Sequence, residues 1–110
     1  MVVHGAGRVP NLEGLNLVAG GIQHTPQGIQ VNEYLQSVSN PAVYAAGDVA
    51  ASKGLPLTPA ASYDGNVVAN NLVKGNTTKS NYTGLPSVVF TIPPLVSVGM
   101  HEKEAKGQGL

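Results

Sequence analysis

Three short stretches carry groups able to meet a ligand. In Val43-Tyr44-Ala45-Ala46-Gly47-Asp48-Val49, an apolar run without alternation reads as a strand buried on both faces, ending in glycine and then aspartate. A glycine at Gly47 lets a ligand approach the backbone. Asp48, just past the strand, can accept hydrogen bonds from hydroxyls, as ribose-binding carboxylates do. The plainer alternative is a solvated aspartate in a strand-end turn, because Gly-Asp is a common turn pair. The second stretch is Leu57-Thr58-Pro59. It predicts a helix start with Thr58 as the cap and Pro59 at the first helical position. A helix start presents unpaired N–H groups and partial positive charge, which stabilise anions or electron-rich oxygens. The plainer alternative there is an ordinary cap. The third stretch, Gly5-Ala6-Gly7-Arg8-Val9-Pro10-Asn11, follows Val2-Val3, which reads as a strand end. A strand running into Gly-x-Gly predicts a tight turn with close backbone approach. It is not the Gly-x-Gly-x-x-Gly phosphate fingerprint, because Pro10 intervenes and no long helix follows.

Other chemistries find no support. The 3 histidines, His4, His24 and His101, have no zinc spacing. His101-Glu102 lacks the second histidine of a helical metalloprotease site, since Ala105 stands there. With Cys 0, disulfides, thiolate catalysis and cysteine metal sites are out. No Ser/His/Asp arrangement is present, so no catalytic and no metal-ligating residue is assigned. Lys+Arg 6 against Asp+Glu 6 argues against a nucleic-acid binder, which carries a basic surplus. No apolar run approaches the ~18 residues of a membrane helix. There is no basic-then-apolar leader, and cytoplasm is the default location.

These stretches are held by few elements. Ile22 to Val31 predicts a hairpin around Thr25-Pro26-Gln27-Gly28. Val31 to Ser39 reads as irregular. The main helix runs from Thr58 to Lys74, stopped by Gly75. Ala61, Gly65, Val68 and Leu72 share one face of it, a face small enough at its start to predict very close packing there. Asn76 to Gly84 reads as a polar linker and a domain boundary. Beyond it come strands at Ser87–Phe90 and Leu95–Val98, then a helix start at Glu102–Lys106. The predicted class is mixed α+β, with short strands and one main helix.

Charged residues are 11% of the chain, against about 25% in an ordinary soluble domain. A free-standing domain this small needs charge to cover its large relative surface. Low charge with many Val, Ala and Gly therefore predicts segments covered by other protein, as in a fragment of a larger fold.

The order of the pieces is more specific than any one of them. Gly-Arg-Val-Pro-Asn is followed by Tyr-Ala-Ala-Gly-Asp-Val, then Leu-Thr-Pro opening an alanine- and glycine-rich helix. Last comes Pro-Ser-Val-Val-Phe-Thr-Ile-Pro-Pro-Leu-Val-Ser-Val-Gly-Met-His-Glu-Lys-Glu-Ala. Nearly the whole chain resembles the pyridine nucleotide-disulfide oxidoreductases: glutathione reductase, dihydrolipoamide dehydrogenase, mercuric reductase and their relatives. Leu57-Thr58-Pro59 and Pro93-Pro94 give it a glutathione reductase-like flavour.

The resemblance implies an α/β parent, with FAD- and NAD(P)-binding folds plus an α+β dimerisation domain. Residues 1–11 would end the NAD(P)-binding domain, 12–80 would form the C-terminal part of the FAD-binding domain, and 81–110 would open the interface domain. By resemblance, the Gly7 backbone lies against the nicotinamide cofactor, with Arg8 close by. Asp48, after Gly47, accepts from the ribityl chain of FAD, and Leu57 and Thr58 lay N–H groups against the flavin pyrimidine edge. The implied parent is a homodimer passing hydride from NAD(P)H through FAD, and on to a disulfide. The family's FAD fingerprint, redox cysteine pair and catalytic histidine have no counterpart here, so the chain alone is predicted inactive. His101 stands where the family usually has a capping threonine. A reading from another class is a small nonenzymatic β-rich binding or assembly module.

Overall fold

A computed structural model describes residues 1–110. The chain divides between Ser80 and Asn81 into two compact units. In the first unit, β1 (His24–Thr25) and β2 (Gly28–Ile29) form an antiparallel hairpin around Pro26-Gln27. Pro26 presets the turn, and Gly28 takes a left-handed φ of 131° that a side chain would resist. The core gathers Leu17, Ile29, Ala45 and Ala50, with Leu12, Ile22, Val31 and Val49 packed against it. Leu12 and Leu17 lie in successive turns, not in a helix. Leu35 is fully buried and adopts a φ of 61° in the tight turn that follows Asn32.

Two predicted strands are absent. Val2 and Val3 belong to no strand and are almost fully exposed. Val43–Ala46 forms no ladder: Tyr44 makes one antiparallel bridge to Gln36, flanked by Ser37 N–H to Val43 O at 2.8 Å and Ala45 N–H to Leu35 O at 3.0 Å. This stretch has a backbone partner on one edge only. Only Ala45 within it is buried, so the two-sided burial implied by its apolar run is not reached.

The main helix, α1, spans Thr58–Lys74 and stops at Gly75, whose φ is 76°. Its N-cap is Leu57, not Thr58, and no side chain caps it. The first intrahelical bond runs from Ala61 N–H to Leu57 O at 2.9 Å, which places Thr58 and Pro59 inside the first turn.

The buried face of α1 is Ala60, Asp64, Val67 and Asn71. It has the predicted four-three-four spacing displaced by one residue, which corrects the assignment of Ala61, Gly65, Val68 and Leu72. Gly65 is exposed and has nothing within 4 Å of where its Cβ would sit. Leu72 is 63% exposed. Apolar periodicity missed this face because two of its four residues are polar, and each is satisfied by hydrogen bonds.

The segment after α1 is not a free linker either. Asn76 Nδ2 donates to Gln36 Oε1 at 2.7 Å, and Tyr44 Oη donates to Asn76 Oδ1 at 2.6 Å. Ser80 N–H donates to Glu33 O at 2.8 Å, and Lys79 pairs with Glu33 at 2.8 Å. Residues 76–80 thus dock on the turn at 33–36.

In the second unit, β3 (Ser87–Val89) and β4 (Leu95–Ser97) pair antiparallel, with Val88 opposite Val96. Every residue of β4 is exposed. The last element, α2 (Glu102–Gly107), starts at His101, whose N–H donates to Glu104 Oε2 at 3.1 Å. The reciprocal glutamate three residues on is half of a capping box, so this start holds without threonine.

Candidate functional site: a cleft around the Gly47-Asp48 corner

Where the apolar run ends, the chain turns through a short 3₁₀ segment, Gly47–Val49. Three restraints fix this corner. Gly47 has a φ of 69°, a region L side chains rarely adopt. A Cβ at Gly47 would stand 2.8 Å from Ala61 Cβ on α1, so only glycine lets the helix come this close. From below, the Gly47 N–H donates to Asp64 Oδ2 at 3.0 Å. Asp64 is buried on α1, at 1% exposure.

The corner borders two adjoining cavities. The larger, of about 930 Å³, is open and is lined by Gly7, Arg8, Gly47, Asp48, Leu55 and Pro56 among others, with the β1–β2 hairpin contributing Thr25 and Gln27. The smaller, of about 510 Å³, is lined by Arg8, Asp48, Pro56, Leu57, Thr58, Ala61 and Ser62. Arg8, Asp48 and Pro56 belong to both. All six residues singled out from sequence, Gly7, Arg8, Gly47, Asp48, Leu57 and Thr58, therefore border one continuous region, although they come from three separate stretches.

Two features of this region were not legible. Arg8 and Asp48, assigned to different parts of a bound ligand, form a direct ion pair through Arg8 Nη2 and Asp48 Oδ2. Both remain solvent-accessible, at 75% and 33%, so the pair is a surface contact of modest strength. Asp64 was missed entirely. The one available signal was its place in the series Ala60, Asp64, Val67, Asn71, which matches helical spacing once polar residues are admitted to a buried face.

The chemistry on offer is hydrogen bonding and charge. Asp48 presents a carboxylate to both cavities, an acceptor for hydroxyls. Thr58 brings a helix start to the smaller one, where the first N–H groups of α1 have no acceptor within the helix. There is no cysteine and no group of three or more His, Cys, Asp or Glu able to hold a metal ion.

Comparison with known proteins identifies the family. Residues 1–65 match the family model described as pyridine nucleotide-disulphide oxidoreductase. An uncharacterized 19.7 kDa protein in the mercuric resistance operon of Staphylococcus aureus is 61% identical over 95 residues, covering 86% of this chain and 53% of that protein. Mercuric reductase of Staphylococcus aureus is 40% identical over 109 residues, covering 98% of this chain and 19% of the reductase. Among solved structures, the HOCl-induced flavoprotein disulfide reductase RclA from Escherichia coli, as its Cu(II) complex, superposes with a TM-score of 0.77 at 28% identity, covering 94% of this chain and 23% of that one. The chain thus spans about half of the first relative and about a fifth of the two reductases. With its Gly-Arg-Val-Pro-Asn and Tyr-Ala-Ala-Gly-Asp-Val landmarks inside the matched residues, the chain belongs to the pyridine nucleotide-disulphide oxidoreductase family.

Proposed function

We propose that this chain supplies the flavin-facing segment of an NAD(P)H-dependent oxidoreductase whose electrons go on to a disulfide. Residues 1–11 end its nicotinamide-binding domain, 12–80 complete its FAD-binding domain, and 81–110 open the interface domain of a cytoplasmic homodimer. The observation that carries this reading is the convergence of Gly7, Arg8, Gly47, Asp48, Leu57 and Thr58 on adjoining cavities. The residues fit the group: a partly exposed carboxylate suits the hydroxyls of a ribityl chain, and a helix start suits the electron-rich edge of a flavin. Bound FAD would supply the two-electron acceptor for a hydride from NAD(P)H.

The chain's own residues then bind and orient. Asp48 accepts from ribityl hydroxyls, which requires it to exchange or share its pairing with Arg8. Thr58 sets its N–H beside the flavin pyrimidine edge, Leu57 joins it by exchanging or sharing its bond to Leu55 O at 2.7 Å, and the start of α1 lends that edge positive potential. Gly7 leaves room for the nicotinamide, with Arg8 close by. In this reading the thiols that reduce the disulfide come from outside these 110 residues, since Cys is 0.

Leu57-Thr58-Pro59 and Pro93-Pro94 support a glutathione reductase-like acceptor. A second reading, Hg(II) as acceptor, is favoured by the 61% identical relative from a mercuric resistance operon. Assays with glutathione disulfide and with Hg(II), on the flavoprotein that contains this segment, separate the two.

The binding role is tested on the chain itself by titrating FAD into labelled protein and following amide signals. Shifts at Gly47, Asp48 and Thr58 are expected, weak because a short segment offers few contacts, and lost in Asp48→Leu. Wild-type signals at these positions that ignore FAD sink the reading.

A further inference from the structure

We propose that Asp64 is a positioning residue for the Gly47-Asp48 corner: its buried carboxylate, not its side-chain volume, sets where Asp48 points in the cleft. The proposal deepens the flavin reading and rests on it for the identity of the ligand.

The choice of residue needs explaining. Asp64 lies on the buried face of α1, 1% exposed, where packing alone asks for an apolar side chain like the neighbouring Val67. Burying a carboxylate costs stability unless hydrogen bonds compensate it. One such bond comes from the Gly47 N–H at 3.0 Å, and Gly47 immediately precedes Asp48. At 3.0 Å this hydrogen bond is of ordinary length, and it fixes direction as well as distance.

On its other side, Gly47 O accepts from Ala50 N–H at 2.9 Å, which closes the short turn after the corner. Gly47, lacking a side chain, is the most permissive residue in the backbone. Ala61 limits how far it can sink toward α1, but a contact of this kind does not fix rotation. The Asp64 carboxylate supplies the directional restraint on the N–H side of Gly47, and it also reaches the wall of the larger cavity. Thr58, on the same helix, lines the smaller cavity. One rigid helix therefore sets both the carboxylate-bearing corner and the N–H-bearing helix start.

Asn71 provides the contrast. It is equally buried on the same face, yet its bonds go to Tyr34, Thr77 and Thr78, away from the corner. Asn71 serves the fold; Asp64 serves the cleft.

The experiment uses the whole labelled chain, with FAD as the probe, and the variants Asp64→Asn, Asp64→Leu and Asn71→Leu. In wild type, a through-hydrogen-bond coupling is expected between the Gly47 amide nitrogen and the Asp64 carboxyl carbon. Asp64→Asn, which keeps an accepting oxygen, retains Gly47 protection and the FAD-induced shift at Asp48. Asp64→Leu speeds Gly47 amide exchange by about tenfold or more, as loss of a buried hydrogen bond implies. It also abolishes the Asp48 response and moves the Arg8 side-chain signals, while helicity persists. Asn71→Leu lowers stability but leaves the Gly47 and Asp48 signals in place.

Absence of the coupling in wild type overturns the proposal even where a variant does not fold. So does an Asp64→Leu chain with wild-type Gly47 exchange, or an Asn71→Leu chain that disturbs Gly47 as much. A wild-type chain indifferent to FAD overturns the flavin reading instead, while the coupling, the Gly47 exchange and the Arg8 signals still decide the positioning role.

Discussion

Asn71 treats Thr78 as a strand partner would: its Nδ2 donates to Thr78 O at 2.8 Å, and its Oδ1 accepts from Thr78 N–H at 2.8 Å. The same side chain donates to Tyr34 O at 3.0 Å and accepts from Thr77 N–H at 3.1 Å. One buried amide thus ties α1 to the turn before it and to the segment after it.

Replacing Asn71 with Leu is expected to destabilise the chain by about 3 kcal/mol, since orphaned backbone groups each cost roughly 1–3 kcal/mol and water can reach part of this set. Urea titration followed by circular dichroism checks it. A shift of the midpoint too small to resolve would show that water replaces the amide at no cost.

Two glycines on either side of the helix contact respond oppositely to the same change. Gly65 lies exposed in the middle of α1 with open space around it, so Gly65→Ala should stabilise by about 0.5–1 kcal/mol. Gly47→Ala meets Ala61 at 2.8 Å and a φ of 69°, and should cost roughly 1–3 kcal/mol. Thermal melts of the two variants against wild type give the signs directly.

Glu33 and Lys79 hold residues 76–80 against the turn at 33–36. The hydrogen bond from Lys79, before its charge, keeps the Glu33 carboxyl below the usual carboxylate range. The bond to Glu33 pushes Lys79 above 10.5. A lowered carboxylate pKa gives stability that is present above the unfolded value of 4.5 and lost as pH falls through the folded one. A raised amine pKa gives stability present below 10.5 and lost as pH rises through the folded value. The contribution therefore spans neutral pH and fades at both ends. The midpoint difference between wild type and Glu33→Gln is expected to be small, to vanish in acid and in strong base, and to shrink with salt, both side chains being more than half exposed. A difference that persists at low pH would assign it to something other than the ion pair.

The second unit leaves its apolar surface uncovered: Phe90 is 89% exposed, and Leu95, Val96 and Val98 are exposed beside it in sequence. Two strands alone rarely hold together in water, and unpaired edges recruit further strands. The chain should associate as its concentration rises, and it should purify without colour and without NAD(P)H oxidation. Sedimentation across concentrations, for wild type and Phe90→Ser, measures the first; an absorbance scan and a rate assay with added FAD measure the second. A monomer throughout would show that this apolar surface does not drive association.

The bounds of α1 were legible because a proline near its start and a glycine past its end mark helix limits through backbone geometry alone. The first hairpin was legible from the turn residues of Thr25-Pro26-Gln27-Gly28, and β3 and β4 as strands from the β-branched runs either side of Pro93-Pro94, their pairing coming from the fold. What failed was decided by tertiary contacts. The face of α1 was displaced because Asp64 and Asn71 fill core positions that periodicity reserves for apolar side chains. Val43–Ala46 looked like a two-sided strand, but only Gln36 offers it a bridge. The six site residues were assembled by the order of family landmarks, whereas the Arg8–Asp48 pair and the Asp64 anchor needed coordinates.

Gly28 carries a last implication. Its Cβ would stand 2.5 Å from Val49 O, and Ala51 N–H donates to Ile29 O at 2.9 Å. The inner strand of a hairpin, β2, is thus in direct backbone contact with the chain just after Asp48. Surface hairpins ordinarily absorb insertions and deletions freely. Here one extra residue between Thr25 and Gly28 would shift β2 by a step and turn Ile29 away from the core. The same step would carry Val49 to Ala51 with it. The length of this hairpin is therefore tied to the register of the cleft, and natural variants of the chain should keep two residues between β1 and β2 even where their identities drift.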